Sequence, residues 1–166
     1  MNWLKSAISR ATSVVLITST AFMSIALSSV TNSYAQNKDG IEVRVEGMRS
    51  DAGRLACSLF NGPTGFPREV SKQFRGEYAA KKGGVGICEF NGVPAGTYAV
   101  TVLDDTNSNG KMDFSPLGMP KKGYGFSNNA KATVLPPSPP SFKAASFSYS
   151  GSGVLTVPIN IVNPKF

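Results

Sequence analysis

The chain contains no histidine. That absence removes the usual general base, the Ser-His and Cys-His nucleophile pairs and the commonest zinc ligand, so most familiar hydrolase mechanisms are excluded. Acids are scarce too, ten against 17 basic residues in 166. Carboxylate-only chemistry of the glycosidase kind needs two acids facing a cleft, and the best placed, Asp104, Asp105 and Asp113, share one loop with a different explanation, given below. There are only two cysteines, Cys57 and Cys88, and no C-x-x-C motif, which leaves a dithiol redox centre without its usual signature. A Cys57–Cys88 disulfide is the economical reading if the chain meets an oxidising compartment. It would close a loop of about 30 residues and contribute roughly 3–4 kcal/mol. After residue 35 no apolar run is long enough to cross a bilayer, no stretch keeps a long 3.6-residue period, and no internal repeat is evident.

The first 35 residues read as a cleaved export signal. Lys5 and Arg10 give a positive start, Ala11 to Leu27 is mostly apolar, and Ser33-Tyr34-Ala35 offers small residues where a signal peptidase reads. The alternative, a membrane anchor, has only 17 residues interrupted by Ser and Thr. Residues 36–166 are then one periplasmic or secreted domain with a net charge of +5, fifteen basic residues against ten acidic. The basic residues are scattered, which argues for solubility over nucleic-acid binding. Lys81-Lys82 and Lys121-Lys122, the local pairs, lie in glycine-containing loops and read as solvated tips, with contact to an anionic lipid or glycan as the alternative.

Strand signals, β-branched and aromatic residues in alternation bounded by glycine, proline or asparagine, occur at Ile41–Met48, Arg54–Phe60, Val85–Phe90, Thr97–Leu103, Ser141–Tyr149 and Val154–Ile161. Ile41, Val43 and Val45 face one way and Glu42, Arg44 and Glu46 the other, and Tyr98, Val100 and Val102 form a second inner face. The best helical piece is short, Arg68–Phe74, after Pro67. These patterns predict an all-β fold, an antiparallel two-sheet sandwich of prealbumin-like or Ig-like type with at most a short helix. Two long connections remain, Asn61–Gly84 and Asp104–Pro140. Connections of that length are usually functional, ordered by something, or disordered. Pro136, Pro137, Pro139 and Pro140 brace the return of the second in an extended form.

The strongest chemical signal is D-T-N-S-N-G-K-M-D, directly after the strand ending at Leu103. Oxygen side chains at alternate positions, then a glycine for a sharp turn, are the opening half of a Ca²⁺ loop. The expected ligands are Asp105, Asn107, Asn109, the Lys111 carbonyl and Asp113, with Asp104 as an extra oxygen. In EF-hand numbering position 12 is Pro116, so the bidentate glutamate is missing, as are the flanking helices. Two carboxylates and two amides favour weak affinity. The competing reading is an Asx-rich turn without metal.

Tyr124, Phe126, Ser127, Asn128 and Asn129 form a second cluster, between and after Gly123 and Gly125. Aromatic and amide groups on a loop can dock a glycan or an envelope protein. Alternatively the rings pack beneath the loop and the asparagines close a turn.

The run from G-V-P-A-G-T-Y-A-V through L-D-D-T-N-S-N-G-K-M-D to G-M-P-K-K-G-Y-G-F-S-N-N resembles an exported bacterial family of unknown function, family 2141. Its pattern is roughly P-x-G-x-Y-A-x-x-x-x-x-D-x-N-x-N-G-x-x-D followed by G-x-P-x-x-G-Y-G-F-S. The chain departs at Leu103-Asp104, where the family often carries a histidine before the aspartate. V-P-A-G-T-Y-A-V is also similar to the strand entry of prealbumin-like sandwiches, including adhesin repeats in which a related loop holds structural Ca²⁺. The resemblance implies a sandwich with a stabilising or binding role and brings no established activity. The expectation is therefore a non-enzymatic module with structural Ca²⁺ that presents its long loop to a partner. Rival expectations are an envelope-associated enzyme or small-molecule carrier with a pocket under the long loops, and a purely structural domain with a metal-free turn.

Overall fold

Alternation decides the first strand: Ile41, Val43 and Val45 of β1 (Gly40–Glu46) are buried while Arg44 and Glu46 are exposed. A computed structural model describes residues 39–134 and 137–165, all within one compact unit, Tyr34–Phe166. The expected leader, residues 1–35, lies outside the described residues. Ten further strands follow: β2 (Arg54–Phe60), β3 (Arg75–Ala79), β4 (Lys81–Lys82), β5 (Val85–Asn91), β6 (Gly96–Asp105), β7 (Tyr124–Phe126), β8 (Thr133–Val134), β9 (Pro137–Ser138), β10 (Phe147–Tyr149) and β11 (Val154–Asn160).

They form two facing sheets. One runs β11-β1-β5-β4; the other runs β10-β6-β2-β3, with β7 added to β6; β8 and β9 make a small separate ladder. The fold is the expected β-sandwich, with one exception to antiparallel pairing. β11 runs parallel to β1, Gly40 opposite Val154 through Glu46 opposite Asn160. Pro158 is tolerated there because β11 is an edge strand.

Between the sheets lie Ile41, Val43, Val45, Leu55, Leu59, Phe90, Tyr98, Val100, Val102, Val157 and Ile159. Cys57 of β2 and Cys88 of β5 are bonded through the middle of this core, so the expected disulfide joins one sheet to the other. A smaller cluster forms from Ala99, Phe126 and Ala145 with Phe66, Tyr124 and Phe142 packed against it.

The long connections are more structured than their patterns suggested. β3 carries Arg75, Gly76, Glu77 and Tyr78 exposed, so an edge strand without a buried face gave no alternation to read. Of the expected helix at Arg68–Phe74 only a 3₁₀ turn forms, Val70–Lys72. The expected strand Ser141–Tyr149 is half helix: α1 (Phe142–Ala145) is a single turn capped by the Ser141 hydroxyl, which accepts from the Ala144 N–H at 3.2 Å.

Candidate cation cage

β6 ends in two adjacent acids, and a strand sends successive side chains to opposite faces. Asp104 follows Tyr98, Val100 and Val102 to the inner face; Asp105 takes the outer one. Each is buried and each has its own lysine. Lys81 Nζ donates to Asp104 Oδ1 at 2.5 Å, and Lys122 Nζ donates to Asp105 Oδ1 at 2.7 Å. Lys81 is 7% exposed and Lys122 3%. The reading of both lysine pairs as solvated tips is therefore corrected: one member of each pair neutralises an acid at the end of β6, and the others, Lys82 and Lys121, remain exposed.

The Asp105–Asp113 loop closes around Lys122. Its ammonium lies 2.7 Å from Asp105 Oδ1, 2.5 Å from Asn107 Oδ1, 2.6 Å from Asn109 Oδ1, 2.7 Å from the Lys111 carbonyl oxygen and 3.3 Å from Asp113 Oδ2. These are the five ligands that the spacing assigned to Ca²⁺, and they do converge on one point. The position at the centre is held by a side chain from 17 residues further on. An ammonium has three protons, so five oxygens at this range hold it as a sphere of charge as much as through fixed hydrogen bonds. Two of the distances, 2.5 and 2.6 Å, fall within the 2.3–2.6 Å usual for Ca²⁺–oxygen contacts, and the two at 2.7 Å lie just beyond it.

The rest of the loop's polar groups lock the ligands. Asp105 Oδ2 accepts from the Gly110 N–H at 2.8 Å and from Arg54 Nε at 3.3 Å. Asn107 Nδ2 and Asn109 Nδ2 both donate to Asp113, at 2.9 and 3.0 Å, which aims their carbonyl oxygens inward. Gly110 takes a φ of +72°, the left-handed turn that glycine adopts at no steric cost. Arg54 also donates to the Ser108 carbonyl at 3.2 Å and stacks on Tyr78 at 3.8 Å. Two cations thus meet two carboxylates. Burial pushes the Asp105 carboxyl up, but hydrogen bonds from Lys122, Gly110 and Arg54 outweigh it and hold the group below the usual carboxylate range. Asp113 is lowered as well, chiefly by the Asn109 amide; burial opposes this as the next largest effect, and Lys122 and Asn107 add to the lowering.

Asp104 is not part of the cage. Strand alternation sends it to the core side, where Lys81 takes it, so its expected role as an extra ligand is withdrawn. Sequence reading missed Lys122, Lys81 and Arg54. A usable signal existed: two acids ending an apolar strand will be buried there and require two counter-charges.

The second cluster divides. Phe126 and Ser127 are buried and Tyr124 partly so. Tyr124 and Phe126 meet edge to face at 5.8 Å, Phe126 meets Phe66, and Phe66 in turn meets Phe142. Asn128 and Asn129 have positive φ, 58° and 49°, and they close the turn. They stay exposed, yet Asn128 Nδ2 donates to the Ser146 carbonyl at 2.8 Å and Asn129 Oδ1 accepts from the Asn160 N–H at 2.8 Å. The rings and Ser127 pack beneath the loop, the second of the two readings that the sequence left open.

The family of uncharacterized proteins conserved in bacteria, DUF2141, matches residues 43–156. The chain belongs to that family. In this DUF2141 member the matched span runs from inside β1 to inside β11 and includes the cage, Lys122 and the G-Y-G-F-S segment. No curated protein and no solved structure matches the chain. Among the described residues no helix is long and apolar enough to cross a membrane.

Proposed function

We propose that this DUF2141 chain is an exported, non-enzymatic β-sandwich module whose Asp105–Asp113 loop is a cation cage filled by its own Lys122, and that the cage holds the long β6–β7 connection ready for a partner at the cell envelope. The observation that carries this is the ammonium within 2.5–2.7 Å of four convergent oxygens, with Asp113 at 3.3 Å. A buried charge is stable only when paired and fully hydrogen-bonded, and here the lysine and the loop satisfy each other. A tethered ammonium also competes at high effective concentration against any ion from solution. Export is supported by the disulfide. A non-enzymatic role is supported by the absence of histidine and by the pairing of Asp104 and Asp105 with lysines. The open depression lined by Ser148, Tyr149, Ser150, Ser152, Val154 and Leu155, about 300 Å³, has no acid, lysine or arginine among those residues.

A second reading places Ca²⁺ in the cage with Lys122 withdrawn, favoured by the alternate spacing of ligands that meet at one point. Calorimetric titration of Ca²⁺ into the wild type, Lys122→Met and Asp105→Ala separates the two. The cage reading expects no heat from the wild type at millimolar Ca²⁺. Lys122→Met should lose about 3–5 kcal/mol of stability, as a broken buried pair does, and should bind Ca²⁺ and recover melting temperature with it. Asp105→Ala should bind none. Saturable binding by the wild type that disappears in Asp105→Ala establishes the second reading instead.

A further inference from the structure

Three of the exposed large apolar side chains lie within six residues of one another: Phe114 is 57% exposed, Leu117 89% and Met119 59%. They sit on a tight turn. Phe114 and Pro120 form an isolated bridge, the Ser115 N–H donates to the Met119 carbonyl at 2.8 Å, the Gly118 N–H donates to the Ser115 carbonyl at 2.9 Å, and the Met119 N–H donates to Ser115 Oγ at 3.1 Å. The backbone of the turn thus satisfies itself while its apolar side chains are left outside.

The turn is fastened at both ends by the cage. Asp113 immediately before it and Lys122 just after it are 3.3 Å apart, and the Lys121 N–H donates to the Asp113 carbonyl at 2.8 Å. At its base stand two exposed cations, Lys111 and Lys121. The one acid between them, Asp113, is engaged by Asn107, Asn109 and Lys122. Within residues 111–121 no other acid stands beside the apolar apex and its two lysines.

We infer that this turn is a membrane-docking tip, with Phe114, Leu117 and Met119 entering the interfacial region of an anionic phospholipid bilayer while Lys111 and Lys121 contact its headgroups. Apolar side chains supply burial at the headgroup boundary, and nearby lysines add attraction to anionic lipid. A single turn falls well short of the roughly 800 Å² that a stable protein interface buries on each partner, whereas insertion into a bilayer needs only a few apolar residues and cations. The inference rests on the cage reading for the rigidity of the turn; the tip substitutions leave every cage ligand in place, so the two fail separately.

The test is co-sedimentation of residues 36–166, which contain every described strand, both apolar clusters and the disulfide, with vesicles of phosphatidylglycerol or of phosphatidylcholine. The wild type should bind the anionic vesicles at least about ten-fold more tightly, and added salt should weaken that binding. Phe114→Ser with Leu117→Ser should lose ten-fold or more at an unchanged melting temperature. Lys111→Gln and Lys121→Gln should each cost about five-fold, the former keeping its cage carbonyl. Absence of wild-type binding to anionic vesicles overturns the inference, as does binding that survives the apolar substitutions. Self-association of the wild type that the tip substitutions abolish, without vesicle binding, overturns it in favour of a second copy of the chain.

Discussion

Asp105 gives up water on every side and recovers its hydrogen bonds from three donors, Lys122, Gly110 and Arg54. Its carboxyl and that of Asp113 titrate below the usual range when folded, whereas the unfolded chain returns them to about 3.9. A lowered folded value means stability that is fully present above the unfolded value and lost as pH falls through the folded ones. The melting temperature should therefore be flat in this respect near neutrality and drop below about pH 4. Asp105→Asn should start lower and fall less steeply over that interval; equal slopes for the two proteins would exclude the cage as the acid-sensitive element. The five oxygen ligands were legible because their alternation is a local pattern. Lys122 was not, because its pairing with Asp105 across 17 residues is set by the return of β7 onto β6.

β7 shows how little sequence an element needs when its neighbours define it. β10 pairs with residues 96–98 of β6 and β7 with residues 101–103, on the same edge, which leaves the Val100 N–H between them. Ser127 Oγ accepts from it at 2.8 Å and donates to the Ala145 carbonyl at 2.6 Å, so one hydroxyl completes the ladder and ties in α1. Ser127→Ala leaves a buried backbone donor unsatisfied and should cost about 1–3 kcal/mol, read by urea unfolding; a loss below about 0.5 kcal/mol would mean that water or backbone movement replaces the hydroxyl. A side chain at Gly125 would place its Cβ 2.6 Å from Ile159 Cγ2, and one at Gly123 would lie 2.6 Å from Ile161 Cγ2. Gly125 marks the close approach of β7 to β11 and Gly123 that of the residues flanking them, but read in sequence they look like loop, which hid β7. β1, β2, β5 and β6 were legible because each carries a buried alternating face.

At the scale of the whole molecule, the Cys57–Cys88 bond joins the two sheets through the core. Cys57→Ala with Cys88→Ala should lower unfolding stability by roughly 3–4 kcal/mol, measured by denaturant titration. The cage lies outside that bond, so Lys122→Met should cost the same in either background, as independent sites do. The sandwich was legible as a class because strand patterns and length agree. The parallel match of β11 to β1 was not, since pairing partners far apart in sequence leave no local trace. A loop ordered by a metal holds its shape only where the surroundings supply that metal, and a dilute or chelating medium withdraws it. With Lys122 the occupant is written into the gene and delivered at synthesis, one per molecule. The shape of the connection then follows from inheritance instead of habitat.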